Sequence, residues 1–372
     1  MKILWLSHDS NMSGANICLD EFLQIMHQQK VENHLIVPRD GKMMELAKDK
    51  TAAIHQVKFY SWNWPLNSTP PISFRLRRLV RNRKAVHDIE RIIKKIKPDF
   101  VVSNTVVTPV AALAAKKSGT KHIWFIHEFG EEDHGYTIGG GFKNAAKKMN
   151  RLSHKMVFIS KAVEKKYEGF VPSAKRNIVH NAMLRPPVVA QNFSSNGHVK
   201  AMMLGQIAPS KNQLEALHAI KISKEAGVNV HLHIYGKCDD DNYMQTLKSF
   251  LKAKDLNSSV SFMGTTNTPE ATIAQHDLLL MCSRKEAFGR VTVEALKCGV
   301  PVIAANAGGS GEIVTDQHDG YLYEAGNAAD LSKKIQAFVV NKASFDRKQI
   351  SNKAISKYNA EVTLQQLKNV FH

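Results

Sequence analysis

The chain of 372 residues has only four cysteines, Cys18, Cys238, Cys282 and Cys298, far apart and with no CxxC pair. Neither a disulfide scaffold nor a zinc module is therefore expected, and a reducing cytoplasm fits best. No run approaches the ~18 apolar residues of a membrane span. Met1 to Ser7 leads into a polar stretch rather than a signal-peptide core, so the protein is expected to be soluble or attached to a membrane only at its periphery. No GxGxxG follows the first apolar run, which argues against a dinucleotide dehydrogenase, and no GxxxxGK[ST] occurs, which excludes a standard P-loop. Short repeats and low-complexity tracts are missing too, which sets aside solenoids and propellers.

What remains is globular in character, 43% hydrophobic and 23% charged, and long enough for two α/β domains with sizeable cores. The net charge of +18 is unevenly spread. Residues 1–190 hold 31 Lys and Arg against 16 Asp and Glu, net +15, whereas residues 191–372 hold 20 against 17, net +3. The densest stretch opens with Arg75, Arg77, Arg78, Arg81, Arg83 and Lys84 and continues to Lys97, with only Asp88 and Glu90 opposed. Ile89, Ile92, Ile93 and Ile96 give its later part helical spacing, one face apolar and one basic. A solvated helix and an anionic membrane surface are both compatible with this. Nucleic acid is not expected as a partner, since no zinc-finger, aromatic ribonucleoprotein or basic-zipper signature accompanies the charge.

Apolar runs alternate with helical stretches along both halves. The first half offers strands at Ile3–Ser7, His34–Val37, Ala53–Phe59, Phe100–Val102, His122–Ile126, Met156–Ile159 and Ile178–Val179. The second offers Val199–Leu204, Val228–Tyr235, Val260–Met263, Leu278–Cys282, Val302–Ala304 and Gly320–Tyr323, with helices including Gln213–Ala226 and Phe288–Cys298. Arg185-Pro186-Pro187 and the polar Gln191–Gly197 read as a linker. The expected architecture is α/β, two doubly wound domains (1–188 and 189–357) facing a cleft, with ligands at the carboxyl ends of strands.

Three segments bear chemistry. Gly14 follows the first strand at a helix start, where backbone can approach an anion or a sugar, though a plain tight turn accounts for it equally. Gly205-Gln206-Ile207-Ala208-Pro209-Ser210-Lys211 repeats the strand–loop–helix design, and Lys211 in the first turn of the helix is a phosphate-site candidate, the alternative being a solvated lysine. The segment after Cys282 carries Glu286, Phe288, Gly289, Arg290 and Glu294. A glycine turn there would offer N–H groups to phosphate, and Glu294 could accept two hydrogen bonds from a ribose diol. Two carboxylates flanking a glycine turn beside a phosphate site suit a nucleotide sugar.

With these residues the chain resembles the retaining, nucleotide-sugar-dependent glycosyltransferases of the group 1 type, family four, whose hallmark is Glu, seven residues, Glu: here Glu286 to Glu294. The Gly14 loop, His127-Glu128, Ser160, His180-Asn181-Ala182, Gly308-Gly309, Glu312-Ile313-Val314 and Asp319-Gly320-Tyr321-Leu322 match in order. The opening resembles members that build bacterial surface polysaccharides.

The resemblance implies the GT-B fold, with a C-terminal helix about 358–372 packing back on the first domain. It implies a nucleoside diphosphate sugar donor, UDP-sugar favoured, held by the second domain. Lys211 would stabilise the diphosphate, Glu286 contact the sugar hydroxyls and Glu294 the ribose. Phe288, Gly289, Gly205 and Arg290 would line the donor, while Gly14 and His127 would approach from the first domain. Gln206 departs from the family's usual arginine, leaving the phosphate one positive charge short, for which Arg284 or Arg290 could compensate. No metal or other cofactor is expected, and Asp239–Asp241 reads as a solvated turn.

The acceptor, a glycan and by preference a lipid-linked one, would bind the first domain. Phe59–Pro65 offers aromatics for sugar stacking, a membrane interface or plain core packing, and Phe129–Phe142 offers a lid with acidic groups for acceptor hydroxyls. A transferase acting on a protein or soluble acceptor, and a non-catalytic glycan-binding subunit, stand as alternatives.

Overall fold

The computed structural model describes residues 1–194 and 198–372, so part of the linker expected at Gln191–Gly197 lies outside the described residues. The chain forms two compact units, Met1–Leu184 with Asn359–His372, and Arg185–Tyr358.

Unit 1 contains β1 (Lys2–Leu6), β2 (Glu32–Val37), β3 (Ala53–Gln56), β4 (Asn63–Pro65), β5 (Phe100–Ser103), β6 (Lys121–Ile126), β7 (Tyr136–Ile138), β8 (Lys155–Phe158) and β9 (Arg176–Ile178). Seven of them make one sheet in the order β3-β2-β1-β5-β6-β8-β9, parallel throughout. Strands covered on both faces need apolar side chains at every position, which is why they read as continuous runs. In β1, Ile3 and Trp5 enter one core layer with Phe22, Val102 and Phe125. Leu4 and Leu6 enter the opposite layer with Ile36, Val101, Ile89 and Ala114. The C-terminal helix Ala360–Phe371 belongs to the first layer, through Leu367, Val370 and Phe371. The Phe371 ring meets Trp5 edge-on at 6.1 Å.

Unit 2 contains β10 (Val199–Leu204), β11 (Val230–Tyr235), β12 (Val260–Gly264), β13 (Leu278–Met281), β14 (Val302–Ala305) and β15 (Gly320–Tyr323), in the parallel order β12-β11-β10-β13-β14-β15. In each large sheet the order reverses beside its first strand, between β1 and β5 and between β10 and β13. At such a switch point neighbouring loops diverge and leave a crevice at the carboxyl ends of the strands.

Several boundaries differ from the sequence reading. The strand from Ala53 stops at Gln56 rather than Phe59. The second-half helix begins at Arg290 rather than Phe288, because Gly289 turns the chain with φ 96°. Lys211 ends a short 3-10 turn, Pro209–Lys211, and the following helix starts only at Gln213, after Asn212 in the left-handed region. The two candidate acceptor segments pair with each other: β4 and β7 form a two-stranded antiparallel ribbon. Trp62 is core, stacked 6.2 Å from Trp124. Asp133 accepts the Phe129 and Gly130 amides at 2.8 and 2.7 Å, and Glu132 pairs with Lys166. Those two acids are spent on local structure rather than aimed at acceptor hydroxyls.

Candidate functional site

In unit 2 the loops after β10 and β13 meet at the switch point. Their key contact is Lys211 Nζ donating to Glu286 Oε2 at 2.6 Å, between side chains 35% and 17% exposed. The phosphate-site candidate and the sugar-site candidate, 75 residues apart, thus form one charged pair at the crevice.

Both loops are fastened from behind. Gln213, buried at the start of its helix, donates to Gln206 O at 3.0 Å and accepts from Ala208 N at 3.3 Å, which fixes the turn leading to Lys211. Glu215 lies two residues further on. It accepts from Tyr323 Oη at 2.7 Å, Gly326 N at 3.2 Å and Arg284 Nη2 at 3.1 Å.

The Glu286 loop rests on Gly308-Gly309. The Gly309 amide donates to Glu286 O at 2.7 Å, and a Cβ on Gly309 would fall 2.4 Å from Phe288 O. Gly289 is needed twice over, for its positive φ and because a Cβ there would meet Ser310 Oγ at 2.8 Å. The Phe288 ring is buried edge-on against Tyr358, so only its backbone can serve a ligand. Glu294 lies on helix Arg290–Lys297, with Arg290 Nη2 3.9 Å from its carboxylate.

The departure at Gln206 has a local partner. Its Nε2 donates to Asp239 Oδ2 at 3.3 Å, while Lys237 Nζ reaches Asp239 Oδ1 at 2.5 Å. Arg284 and Arg290, the two candidate replacements for the missing arginine, are engaged with Glu215 and Glu294 respectively.

In unit 1 the Gly14 helix, Gly14–Gln28, is capped by Ser13, and a Cβ on Gly14 would touch nothing within 4 Å. Sterics within the chain do not require that glycine. Asn104, after β5, donates to Ala15 O at 2.9 Å, which turns its oxygen toward His127 Nε2 at 3.0 Å. An amide oxygen only accepts, so the imidazole carries its proton on Nε2. Gly14 and His127 are thereby joined through a residue that sequence reasoning did not single out.

Beside them Glu128 is buried and binds three segments together. Its Oε1 accepts from Val106 N at 3.2 Å and Tyr136 Oη at 3.3 Å, and its Oε2 from His127 N at 3.1 Å. Burial, reinforced by nearby Asp133, pushes its carboxyl up to about 7. Burial likewise pushes the Cys282 thiol up to about 12 and Cys298 to about 11, making both poor nucleophiles. Among the described residues no three His, Cys, Asp or Glu side chains are grouped to hold a metal ion.

Two family models match this chain, Glycosyl transferases group 1 over residues 188–357 and Glycosyltransferase Family 4 over residues 12–183. The chain belongs to the group 1, family 4 glycosyltransferases. Among curated glycosyltransferases of this kind, an Escherichia coli protein named as the O-antigen biosynthesis glycosyltransferase WclY is 31% identical over 154 residues, 41% of this chain and 43% of WclY. The matched region thus spans about half the length, or less, of the curated relatives. Two solved structures follow nearly the whole chain. Anabaena Alr3699/HepE in complex with UDP has a TM-score of 0.78 at 19% identity, covering 99% of both chains. The lipopolysaccharide outer core galactosyltransferase WaaB in apo form has a TM-score of 0.78 at 17% identity, covering 100% of this chain and 99% of its own. These likenesses establish the GT-B class of fold, two Rossmann-like halves, for this glycosyltransferase family member.

Proposed function

We propose that this chain transfers a sugar, with retention of configuration, from a nucleoside diphosphate sugar to a glycan acceptor during synthesis of a bacterial surface polysaccharide. A UDP-sugar is the favoured donor and a lipid-linked glycan the favoured acceptor. The observation that carries the reading is the Lys211–Glu286 pair at the unit 2 switch point. WclY, named for O-antigen biosynthesis, and HepE, solved with UDP, support it from outside the chain.

Breaking the anomeric bond leaves positive character on the sugar and negative charge on the departing diphosphate. The main catalytic lever is therefore a cation and N–H donors placed at that phosphate. Lys211 supplies the cation, and the Gly289 turn with the N-terminus of helix Arg290–Lys297 supplies donors. Glu286 orients the sugar hydroxyls and Glu294 the ribose. Gly205 and Gln206 line the donor with Phe288 and Arg290. By the family resemblance, His127, whose imidazole Asn104 holds, would serve the reacting sugar and Gly14 the diphosphate. With the leaving phosphate taking the acceptor's proton, no protein base and no metal is needed.

The test is a panel of UDP-, GDP-, ADP- and CMP-sugars, scored by thermal shift and by slow hydrolysis without acceptor. Selective stabilisation with nucleotide release is the expected result. A second reading, a non-catalytic glycan-binding subunit, draws on one observation: Gln206 is turned to Asp239 and adds no charge at the phosphate. Glycan binding with failure of every donor would favour it.

A further inference from the structure

Helix Ile72–Ile96 has two different halves. Its second half packs on the sheet through Ala85, Val86, Ile89 and Ile93, all buried. Its first half is held down as well: Phe74 lies 5.5 Å from the Tyr60 ring and 5.2 Å from Trp64. Asn82 exchanges hydrogen bonds with the Tyr60 backbone at 2.8 and 2.9 Å. The helix is thus seated along its length. Even so, Ile72, Leu76, Leu79 and Val80 are 73%, 59%, 48% and 69% exposed. At 100° per residue these four fall within an arc of about 100°, a second apolar face that none of the described residues covers.

The charge around that face is of one sign. Residues 72–84 hold six basic side chains and no acidic one. Arg77, Arg81 and Lys84 form the strip beside the ridge. Arg75 borders its other edge, and Arg83, within it, has a stem long enough to carry its charge out. A protein groove would need acidic groups along one flank as well as an apolar slot. An anionic bilayer supplies both over any area: hydrocarbon below and phosphate headgroups at the level of the arginines.

We propose that the first half of this helix is an interfacial anchor, with Ile72, Leu76, Leu79 and Val80 entering an anionic leaflet between flanking arginines. This deepens the reading of a lipid-linked acceptor and rests on it, since it holds unit 1 where such an acceptor lies. Charge attraction alone predicts binding that salt abolishes. An inserted ridge adds a component that salt does not screen.

The test uses the full chain with phosphatidylcholine vesicles, with and without phosphatidylglycerol, at low and high salt. One variant replaces Ile72, Leu76, Leu79 and Val80 by Ser; a second replaces Arg77, Arg81 and Lys84 by Gln. All seven lie outside the core, and the melting curve of each variant is compared with the parent's. The parent should bind anionic vesicles and keep part of that binding at high salt. The ridge variant should bind at low salt but lose at least about tenfold at high salt. A fluorophore on Leu79→Cys should shift to the blue with anionic vesicles. Equal binding by parent and ridge variant, with no blue shift, would overturn insertion while leaving charge attraction intact. No parent binding to any vesicle would overturn the anchor altogether. Self-association lost in the ridge variant would assign the face to a second copy instead. Protection by UDP-sugars, a property of unit 2, separates these failures from failure of the transferase reading.

Discussion

Replacing Glu128 by Gln should change how the stability of unit 1 depends on pH, by an amount the structure sets. The carboxyl is buried and its pKa stands near 7 in the folded chain, against about 4.3 in an unfolded one. Because the folded state keeps a proton that the unfolded state has released, stability falls as pH rises through that window and levels off above it. Taken between pH 4.5 and 8, the difference between the two pKa values corresponds to about 3 kcal/mol. Gln carries no charge to desolvate. The variant therefore loses a constant amount from imperfect acceptance of the Val106 and His127 amides, but lacks the pH-dependent part. Between pH 4.5 and 8 its stability relative to the parent should rise by about 3 kcal/mol, or roughly 6–12 °C in melting temperature for a unit of this size. The four tryptophans, Trp5, Trp62, Trp64 and Trp124, all lie in unit 1, so intrinsic fluorescence reports that unit during melting. A variant–parent difference that stays flat with pH would refute the assignment of a proton to this carboxyl.

Other expectations concern the donor side. Lys211→Met should abolish thermal protection by the nucleotide sugar and lower kcat by roughly 10²–10³, as removal of a charge-stabilising donor does elsewhere; unchanged turnover would remove Lys211 from the site. Gly309→Ala should displace the Glu286–Phe288 loop, since its Cβ would lie 2.4 Å from Phe288 O, costing about 1–3 kcal/mol in stability and a larger share of activity; a fully active, equally stable variant would show that the loop has room to spare. Gln206→Arg should tighten donor binding in calorimetry by supplying the missing positive charge, since Lys237 already pairs with Asp239, and unaltered affinity would mean that this position does not face the phosphates.

The central strands were legible because they run buried on both faces, as Leu278–Met281 and Val302–Ala305 do, so composition alone marks them. The β4–β7 ribbon was not, because each strand has three residues and one contains Pro65; its pairing comes from the tertiary meeting of two loops. In the candidate site, Lys211, Glu286 and Glu294 were visible as charged residues before or within helices that follow apolar strands. Asn104, Gln213 and Glu215 were not: they act on loops that the fold brings close, as Glu215 does on Tyr323, 108 positions away. The exposed ridge of helix Ile72–Ile96 was also hidden, since the isoleucine spacing of the second half drew attention to the face that packs. Only burial separates the two apolar faces.

On the proposed reading, the ion pair between Lys211 and Glu286 would make donor capture an exchange rather than an addition. A diphosphate arriving at Lys211 would displace a carboxylate already seated there, so part of the attraction would be offset and resting affinity held down. The freed carboxylate would turn to the sugar hydroxyls, and the two halves of the donor would be gripped by one rearrangement. Once the sugar had left, the spent nucleotide would have only the phosphate grip, with Glu286 ready to reclaim the lysine. A nucleotide that has lost its sugar would thereby be helped out, and the contact that tempers binding would also counter product inhibition.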